Sequence, residues 1–518
     1  MTGIDTQHVI FAAAENGALP GGKVGGVGDV IRDLPVALAK LGWRATVITP
    51  AYGALHRLPG ATLFDTVEVP FAGERHRVEI FEVPGGNEPV RNLVFEHALF
   101  SPGGPGMVYT SDEPGRPFAS DANKFAFFGA ALAEWLASGK DTVDVLHLHD
   151  WHTGFYLLLR EFEPRFAALR ALRTVFTIHN LAYQGTRPLA GDASSLESWY
   201  PGLRVDIARI RDPHIPGCLN PMAAAIRLSD KIATVSSTYA LEICQPSNHD
   251  KGFIGGEGLE ADLCRAARDG RLVGILNGCD YSGKRSRRPG WPQLVNRIGK
   301  QVDAWRQKDD RFEGHALAAS RVAAMPRRRP AKVFVSVGRL VTQKVSLFLE
   351  RLPNGRTALE TLLERHPDAI FLLLGSGEPD CERRILDIAR QMSNLVFLRG
   401  YAETLADDLY RSADLFLMPS SFEPCGISQM LAMRDGVPCV VHGVGGLKDT
   451  VEHGKTGFVF SGAYPMEQAT NFVASIDEAL ALRAAHPRTW QNIQQAAAAC
   501  RFDWQLAAKR TVEELYDR

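Results

Sequence analysis

Short apolar runs, rich in β-branched and aromatic residues, recur along this chain of 518 residues and alternate with stretches of helical periodicity. Strands that are apolar throughout and are separated by amphipathic helices are typical of parallel sheets covered on both faces. The sequence therefore predicts an α/β fold with two doubly wound domains. The predicted strands are 8–15, 44–52, 92–99, 143–149, 173–179, 231–236, 332–337, 369–374, 394–398, 414–418, 438–442 and 456–460, with helices over stretches such as 28–41 and 122–138.

This alternation is interrupted over 281–330, where "GKRSRRPGWPQ" and "MPRRRPAK" bracket a polar stretch. Basic clusters can contact a polyanion, but beside proline and glycine they are more typical of a solvated linker. We therefore expect an N-terminal domain over 1–280, an inter-domain linker over 281–330 and a C-terminal domain over 331–495.

The overall charge gives no reason to expect a polyanionic partner. Lys and Arg total 58 against 59 Asp and Glu, which leaves a formal net charge of −1. We therefore expect neither nucleic acid nor a membrane among the partners. The eight cysteines include no CxxC pair, which favours reduced thiols, and no apolar run is long enough to cross a bilayer. The sequence thus predicts a cytoplasmic protein.

A glycine-rich loop, "ENGALPGGKVGGVGDV" over 15–30, follows the first predicted strand and leads into a helix. Glycines such as Gly25, Gly26 and Gly28 let backbone N–H groups approach an anion, and Lys23 adds a full positive charge. The spacing matches neither the Rossmann dinucleotide pattern nor the Walker A pattern. By itself the loop is equally consistent with an anion site and with a tight turn.

The segment "HLHDWH" contains four potential metal ligands, which are His147, His149, Asp150 and His152. The metallo-β-lactamase pattern H-x-H-x-D-H places aspartate and tryptophan in the opposite order and belongs to a sandwich-like architecture. We therefore expect no metal here. Asp150 is interpreted as a carboxylate at the end of its strand.

Seven further motifs occur in the order of one enzyme family. "KVGGVGDV" resembles the K-T-G-G-L-[GA]-D-V loop of bacterial glycogen and starch synthases, and "VFTIHNLAYQG" and "FEPCGISQM" resemble other segments of that family. "HLHDWHTG", "ILNGCD", "GRLVTQK" and "VGGLKDTV" follow the same order. The resemblance implies a GT-B fold, with two Rossmann-like domains facing across a cleft. It also implies that 496–518 forms a C-terminal helix crossing back to the first domain.

The resemblance assigns roles to polar residues of both domains. It places Arg339 and Lys344 on the diphosphate of a nucleotide sugar, with Lys23 approaching from the other domain, and Glu423 on the glucose hydroxyls. Cations would replace the divalent metal, because nothing in the chain resembles an Asp-x-Asp metal site. His179 is assigned to the donor sugar.

The remaining expected binding residues orient sugar, acceptor or nucleotide groups; they are Gly25, Gly26, Asp150, Tyr183, Gln184, Asn277, Cys425, Gly426 and Ser428. The turn from Pro424 to Gly426 would point backbone amides at the ligand. Cys425 is not expected to act as a nucleophile, because no base is evident nearby and the family uses none.

The resulting expectation is a hexosyltransferase of the glycogen or starch synthase type that needs no cofactor. It would move glucose from ADP-glucose, or less favourably UDP-glucose, to the non-reducing end of an α-1,4-glucan or oligosaccharide acceptor, with retention. Three departures from the family pattern are a glycine loop two residues longer, Val345 in place of glycine, and "YSGKRSRRPGW" after "ILNGCD". They keep open a small sugar or sugar phosphate as acceptor. A non-catalytic glucan-binding relative is a separate alternative, and the presence of Lys23, His179, Arg339, Lys344 and Glu423 argues against it.

Overall fold

The computed structural model describes residues 6–281, 287–309 and 311–517. The chain divides into two compact units. The first comprises Met1–Ser247, Gly255–Asp280 and Asp503–Arg518, and the second comprises Asn248–Ile254 and Tyr281–Phe502. Every one of the twelve predicted strands is present, with ends that differ by a few residues.

The first unit is built on a nine-stranded sheet in the order β11-β10-β7-β6-β1-β2-β5-β4-β3. Its strands are β1 His8–Ala12, β2 Arg44–Pro50, β3 Thr62–Phe71, β4 Glu74–Glu82, β5 Arg91–Glu96, β6 Val145–His149, β7 Arg173–Ile178, β10 Lys231–Thr234 and β11 Leu272–Gly274, with a separate small pair of β8 Arg187–Pro188 and β9 Cys218–Leu219. The chain winds outward from β1 in one direction and from β6 in the other, so β1 and β6 flank the topological switch point. Ligands of open α/β sheets bind at such points, beyond the carboxyl ends of the strands.

One edge of this sheet is an antiparallel hairpin that the sequence analysis did not predict. Strands β3 and β4 pair with each other, and β4 pairs antiparallel with β5. The other neighbouring strands of the sheet are parallel, in agreement with the prediction.

The second unit has a six-stranded, wholly parallel sheet in the order β14-β13-β12-β15-β16-β17. Its strands are β12 Lys332–Val337, β13 Ala369–Gly375, β14 Leu395–Arg399, β15 Leu415–Met418, β16 Cys439–His442 and β17 Gly457–Phe460. Here β12 and β15 flank the switch point. The doubly wound prediction is therefore confirmed in both units.

Helices cover both faces of the two sheets. They are α1 Gly26–Ala39, α2 Ala119–Ala137, α3 Gly154–Phe162, α4 Leu196–Trp199, α5 Ile207–Ile210, α6 Pro221–Leu228, α7 Ser237–Glu242, α8 Glu260–Arg268, α9 Trp291–Lys308, α10 Gly314–Ala323, α11 Thr342–Leu349, α12 Ala358–Arg365, α13 Pro379–Gln391, α14 Glu403–Ser412, α15 Ser428–Arg434, α16 Gly445–Thr450, α17 Pro465–Ala485, α18 Pro487–Ala499 and α19 Trp504–Thr511. Within the described ranges, no helix is long and apolar enough to span a membrane.

The expected linker over 281–330 is wrong across its described part. Helices α9 and α10 occupy most of it and belong to the second unit. Leu294, Ile298 and Val302 lie on one face of α9 and are fully buried in a core cluster that also contains strand residues of the sheet. The basic segments at its ends concealed this helical periodicity. Residues 282–286, with the sequence Ser-Gly-Lys-Arg-Ser, lie outside the described residues.

The ends of the two units also differ from the expected boundaries. Residues 248–254 belong to the second unit, where the Gln468 amide donates to the Lys251 carbonyl. The second unit continues through α18 to Phe502, beyond the expected end at 495. From Asp503 the chain lies in the first unit, where Trp504 and Tyr516 are buried in the core cluster that contains β1 and α1.

Replacing Ile298 by alanine tests whether α9 is part of a core. We expect Ile298→Ala to lower the free energy of unfolding by about 3 kcal/mol, because a buried side chain is lost and a cavity remains. Urea denaturation followed by circular dichroism measures the change. The exposed Lys300→Ala on the same helix serves as control and should change stability by less than about 0.5 kcal/mol. Equal midpoints for the two variants would contradict the assignment.

Candidate active site

Several of the expected functional residues follow the carboxyl ends of parallel strands, at or beside the two switch points. In the first unit, the glycine loop follows β1, Asp150 follows β6 and His179 follows β7. In the second unit, Arg339 and Lys344 follow β12, and Glu423 follows β15.

The glycine loop is organised around the Glu15 carboxylate, a role that the sequence analysis missed. Its Oε2 accepts backbone N–H bonds from Val24 at 2.8 Å, Gly25 at 2.6 Å and Gly28 at 3.3 Å, and its Oε1 accepts from the Tyr109 hydroxyl at 2.9 Å. Glu15 is only 2% exposed. A carboxylate thus occupies the N-terminal turn of α1, where unpaired N–H groups favour negative charge.

The glycines of this loop therefore differ in what they provide. A Cβ on Gly28 would lie 2.9 Å from the Lys23 side chain, so packing requires glycine there. A Cβ on Gly26 would meet no described atom within 4 Å. The Gly25 amide, which was expected to contact a ligand, donates to Glu15 instead. Gly26 is the position where backbone remains open to a ligand.

Lys23 lies on the open side of the loop. Its ammonium donates to Asp29 Oδ1 at 2.6 Å, and about a third of its side chain is exposed. Asp29 also lies 3.3 Å from the Arg32 guanidinium. The cation is thus held near the first turn of α1 by an exposed ion pair, which costs little to rearrange.

Asp150 has a backbone conformation that is rare for any residue except glycine. Its φ is 55° and its ψ is 176°. Strain of this kind costs about 1–3 kcal/mol and is concentrated at functional sites. The Asp150 carboxylate accepts the backbone N–H of His179 at 2.7 Å and, more weakly, that of Asn180 at 3.4 Å. It therefore holds the loop after β7 against the end of β6.

Burial raises the pKa of the Asp150 carboxyl to about 7, although its two backbone hydrogen bonds act in the opposite direction. Desolvation disfavours the charged form of a carboxyl group. Asp150 can therefore hold or release a proton near neutral pH.

Three buried histidines lie on two neighbouring strands: His147 and His149 are part of β6, and His179 directly follows β7. His147 shares hydrogen bonds with the Tyr516 hydroxyl at 2.7 Å and Thr177 Oγ1 at 2.6 Å, and His149 Nδ1 shares one with His179 Nε2 at 2.9 Å. Burial lowers the pKa of His147 and of His179 to about 3 and that of His149 well below its usual range. These imidazoles are neutral at neutral pH, and each presents one donor and one acceptor nitrogen.

The "HLHDWH" side chains are thus engaged with protein groups. The His152 ring packs at 4.5 Å from that of Phe125 and at 4.3 Å from that of Trp151. Among the described residues, no group of three or more His, Cys, Asp or Glu side chains is arranged to hold a metal ion.

The other expected residues of the first unit have different surroundings. Tyr183 is half-exposed on the loop after β7. The Gln184 side chain links two other segments of the chain. Its amide donates to the Glu257 carbonyl at 3.1 Å, and its oxygen accepts from the Asn220 amide at 2.6 Å. Asn277 is half-buried beyond the end of β11. Tyr183 and Asn277 remain accessible to a ligand, whereas the Gln184 side chain is committed within the protein.

In the second unit, the ammonium of Lys344 forms an ion pair with Glu423 Oε2 across the switch point. The same oxygen accepts from the Ser420 hydroxyl at 3.1 Å, and Glu423 is only 6% exposed. Arg339 is exposed, and no ion pair is formed between it and another described residue. The structure thus brings Lys344 and Glu423 together and leaves the Arg339 guanidinium free to bind an anion.

The loop that carries Glu423 is fixed to its neighbours through the backbone. The Gln343 amide donates to the Phe422 carbonyl at 3.0 Å, and Ser421 N–H donates to the Gln343 carbonyl at 2.8 Å. The Glu423 carbonyl accepts the N–H of Gly446 at 3.0 Å, in the first turn of α16. The Glu423 loop is therefore held by the start of α11 on one side and by the start of α16 on the other.

Gly426 ends this loop with a φ of 75°, a conformation that favours glycine. The buried Gln429 amide donates to the Gly426 carbonyl at 2.8 Å and to that of Cys425 at 3.2 Å. The Cys425 thiol is buried, and Ser428 begins α15. Gly426 and Cys425 thus shape the backbone around Glu423.

Val345 does not disturb the start of the helix that follows β12. Helix α11 begins at Thr342 and continues through Val345, whose side chain is buried in a core cluster. A helical position does not need the backbone freedom of glycine. Valine in place of the family's glycine at position 345 is therefore accommodated by packing in the core.

Comparisons with known proteins identify the family of this chain. A family model described as "Starch synthase catalytic domain" matches residues 8–265, and one described as "Glycosyl transferases group 1" matches 331–481. A glycogen synthase from Anaeromyxobacter sp. (strain Fw109-5) is 35% identical, with 98% of this chain and 99% of that protein covered. One from Streptococcus equi subsp. equi (strain 4047) is 32% identical, with 97% and 98% covered.

The chain belongs to the glycogen synthase family. The resemblance found in the sequence is thereby confirmed, and the protein is a glycosyltransferase by family. The catalytic domain of starch synthase IV from Arabidopsis thaliana, solved with ADP and acarbose, is similar with a TM-score of 0.75 and 27% identity over 99% of both chains. The GT-B fold, with two Rossmann-like domains, is confirmed as well.

Asp150→Asn tests the buried carboxyl through the pH dependence of stability. The Asp150 pKa in the folded protein is raised, so its contribution to stability is fully present below about pH 4 and is lost as pH rises through about 7. Between about pH 5 and about pH 8, wild-type stability should fall relative to the variant by about 2–3 kcal/mol in urea unfolding. The exposed Asp269→Asn should show no such divergence. Parallel profiles for wild type and Asp150→Asn would contradict the prediction.

Proposed function

We propose that this protein transfers glucose from ADP-glucose to the non-reducing 4-hydroxyl of an α-1,4-glucan, with retention at the anomeric carbon. The proposal extends the family assignment to one donor, one acceptor and named side chains. The observation that carries it is the placement of Arg339, Lys344 and Glu423 at the carboxyl ends of β12 and β15, on either side of a topological switch point.

Departure of ADP develops negative charge on the diphosphate, and fixed cations stabilise that charge. Arg339 offers a planar fork of N–H donors to phosphate oxygens, and Lys344 offers a compact charge. Lys23 is proposed as an anion-binding residue of the first unit, since its exposed pairing with Asp29 is readily exchanged for a phosphate oxygen. The backbone N–H of Gly26 is proposed to contact a phosphate oxygen, because no described atom lies within 4 Å of where a Cβ at this position would be.

The donor glucose is proposed to lie against Glu423, and His179 is proposed as a sugar-binding residue of the first unit. The Glu423 carboxylate accepts from sugar hydroxyls, and its ion pair with Lys344 couples the sugar end of the donor to its phosphate end. His179 is neutral, so it can exchange hydrogen bonds with a hydroxyl without placing a full positive charge beside an electron-poor anomeric carbon. Asp150 positions this histidine through its backbone. Tyr183 and Asn277 are proposed to orient sugar or acceptor hydroxyls.

The choice of ADP-glucose rests on the solved relative, since that starch synthase was bound to ADP and acarbose. In the proposed step, the bond from the anomeric carbon to the diphosphate oxygen breaks and a bond to the acceptor 4-oxygen forms on the same face. The acceptor proton passes to the departing phosphate oxygen. No side-chain nucleophile is invoked.

An assay of purified protein with two donors and three acceptors tests this proposal. We expect glucose incorporation from ADP-glucose into glycogen or maltooligosaccharides in the presence of EDTA, and at least about tenfold slower transfer from UDP-glucose, since one lost donor contact costs about 1.4 kcal/mol. NMR of the product should show only α-linkages. Preference for free glucose or a sugar phosphate as acceptor, a β-linked product, or abolition by EDTA would contradict it.

Lys344→Gln should lower kcat by about 100-fold or more and change KM for ADP-glucose much less, because the leaving-group charge grows toward the transition state. Lys455→Gln is the matched control, since it removes an exposed lysine that also pairs with a glutamate, Glu452. That variant should stay within about twofold of wild type. An unchanged kcat for Lys344→Gln, or an effect on KM alone, would remove Lys344 from the proposed role.

A further inference from the structure

A second cationic region lies in the second unit, at the amino ends of β12 and β15. Arg339 and Glu423 follow the opposite, carboxyl ends of these strands. The cationic region surrounds a cavity of about 390 Å³ lined by three arginines, Arg288, Arg329 and Arg483, and one acid, Asp414. Asp414 directly precedes β15, and its Oδ2 accepts the N–H of Val333 at the start of β12 at 2.8 Å. These strands are four to six residues long, so their two ends lie about 13–20 Å apart. A ligand in this cavity is therefore distinct from the donor.

The cavity carries excess positive charge. Asp414 pairs with Arg329 at 2.8 Å and with Arg483 at 3.2 Å, so one carboxylate serves three guanidinium groups among the described residues that line it. Burial, together with the charges of Arg329 and Arg483, lowers the pKa of Arg288, while Asp414 acts against this. Mutually repelling, partly buried cations are stabilised by an anion placed among them.

These guanidinium groups also have N–H donors left for a ligand. Arg288 and Arg329 each donate to the Ser412 carbonyl at 3.0 Å, at the C-terminus of α14, and Arg329 donates further to the Pro330 carbonyl at 3.1 Å. Each guanidinium offers five donors, more than these contacts use.

One face of α18 forms the other wall. Pro487, Gln491 and Gln494 recur at helical spacing and line the cavity together with Trp490. Pro487 is the first residue of α18, and no acidic residue lies in that first turn, so the positive end of the helix dipole faces the cavity unopposed. The two glutamine side chains can exchange hydrogen bonds with hydroxyl groups.

We propose that this cavity binds a small molecule through a phosphoryl dianion, held by the forks of Arg288, Arg329 and Arg483. Arginine matches phosphate oxygens in bidentate geometry, and a dianion would balance the two excess charges. Free phosphate and a sugar phosphate share this chemistry. The amides of Gln491 and Gln494 favour the sugar phosphate, because they are placed to meet its hydroxyls.

Isothermal titration calorimetry on the full chain tests the site, with saturating ADP present to fill any nucleotide site. The probes are glucose 6-phosphate, inorganic phosphate and glucose. We expect glucose 6-phosphate to bind with one-to-one stoichiometry, and Arg483→Gln and Arg288→Gln each to weaken it at least about tenfold. Arg488→Gln, an exposed neighbour on α18 outside the cavity, is the matched control and should bind as wild type does. Circular dichroism confirms folding, and glucosyl transfer should be unchanged in all three variants.

Tighter binding of glucose 6-phosphate than of inorganic phosphate supports a sugar phosphate as ligand, and equal binding supports free phosphate; both support the site. Absence of binding by either phosphate at millimolar concentration would overturn it. Binding that persists in both cavity variants, or equal binding of uncharged glucose, would do the same. Because the readout is binding and not glucosyl transfer, a failure here leaves the proposed transferase function standing.

Discussion

Three buried carboxylates, each following a strand that flanks a switch point, hold the loops from which the candidate site is built. Glu15 fixes the glycine loop through three backbone N–H groups, Asp150 holds the loop of His179, and Glu423 holds Lys344. Buried carboxylates of this kind are stable only when N–H groups or cations satisfy them. The loops must therefore adopt the conformations that supply those donors, which arranges the site before any ligand arrives.

Glu15 and Glu423 also offset positive charge near them. The N-terminus of α1 and the ammonium of Lys344 both favour anions, yet both already contact a carboxylate. Arg339, by contrast, stands exposed beyond the end of β12. In the second unit, Arg339 therefore forms no ion pair with another described residue, whereas Lys344 is already paired.

The sequence predicted the parallel strands well, because continuous apolar runs at regular intervals are typical of strands buried on both faces of a sheet. It failed where two signals competed: Trp291, Leu294 and Ile298 carry helical periodicity, but the surrounding arginines and prolines suggested a linker. It also identified Glu423 only through resemblance. The role of Glu15 and the strained backbone of Asp150 depend on tertiary contacts with Gly28 and His179 that no local pattern encodes. The arginines around Asp414 are far apart in the chain and meet only through the fold.

A crystal structure of the protein with ADP tests the central claim most directly. The account predicts the β-phosphate within hydrogen-bond distance of the Arg339 guanidinium and the Lys344 ammonium, with the Glu423 carboxylate still beside Lys344 and free to face the glucose position. Nucleotide bound with its phosphates away from the carboxyl ends of β12 and β15 would contradict it.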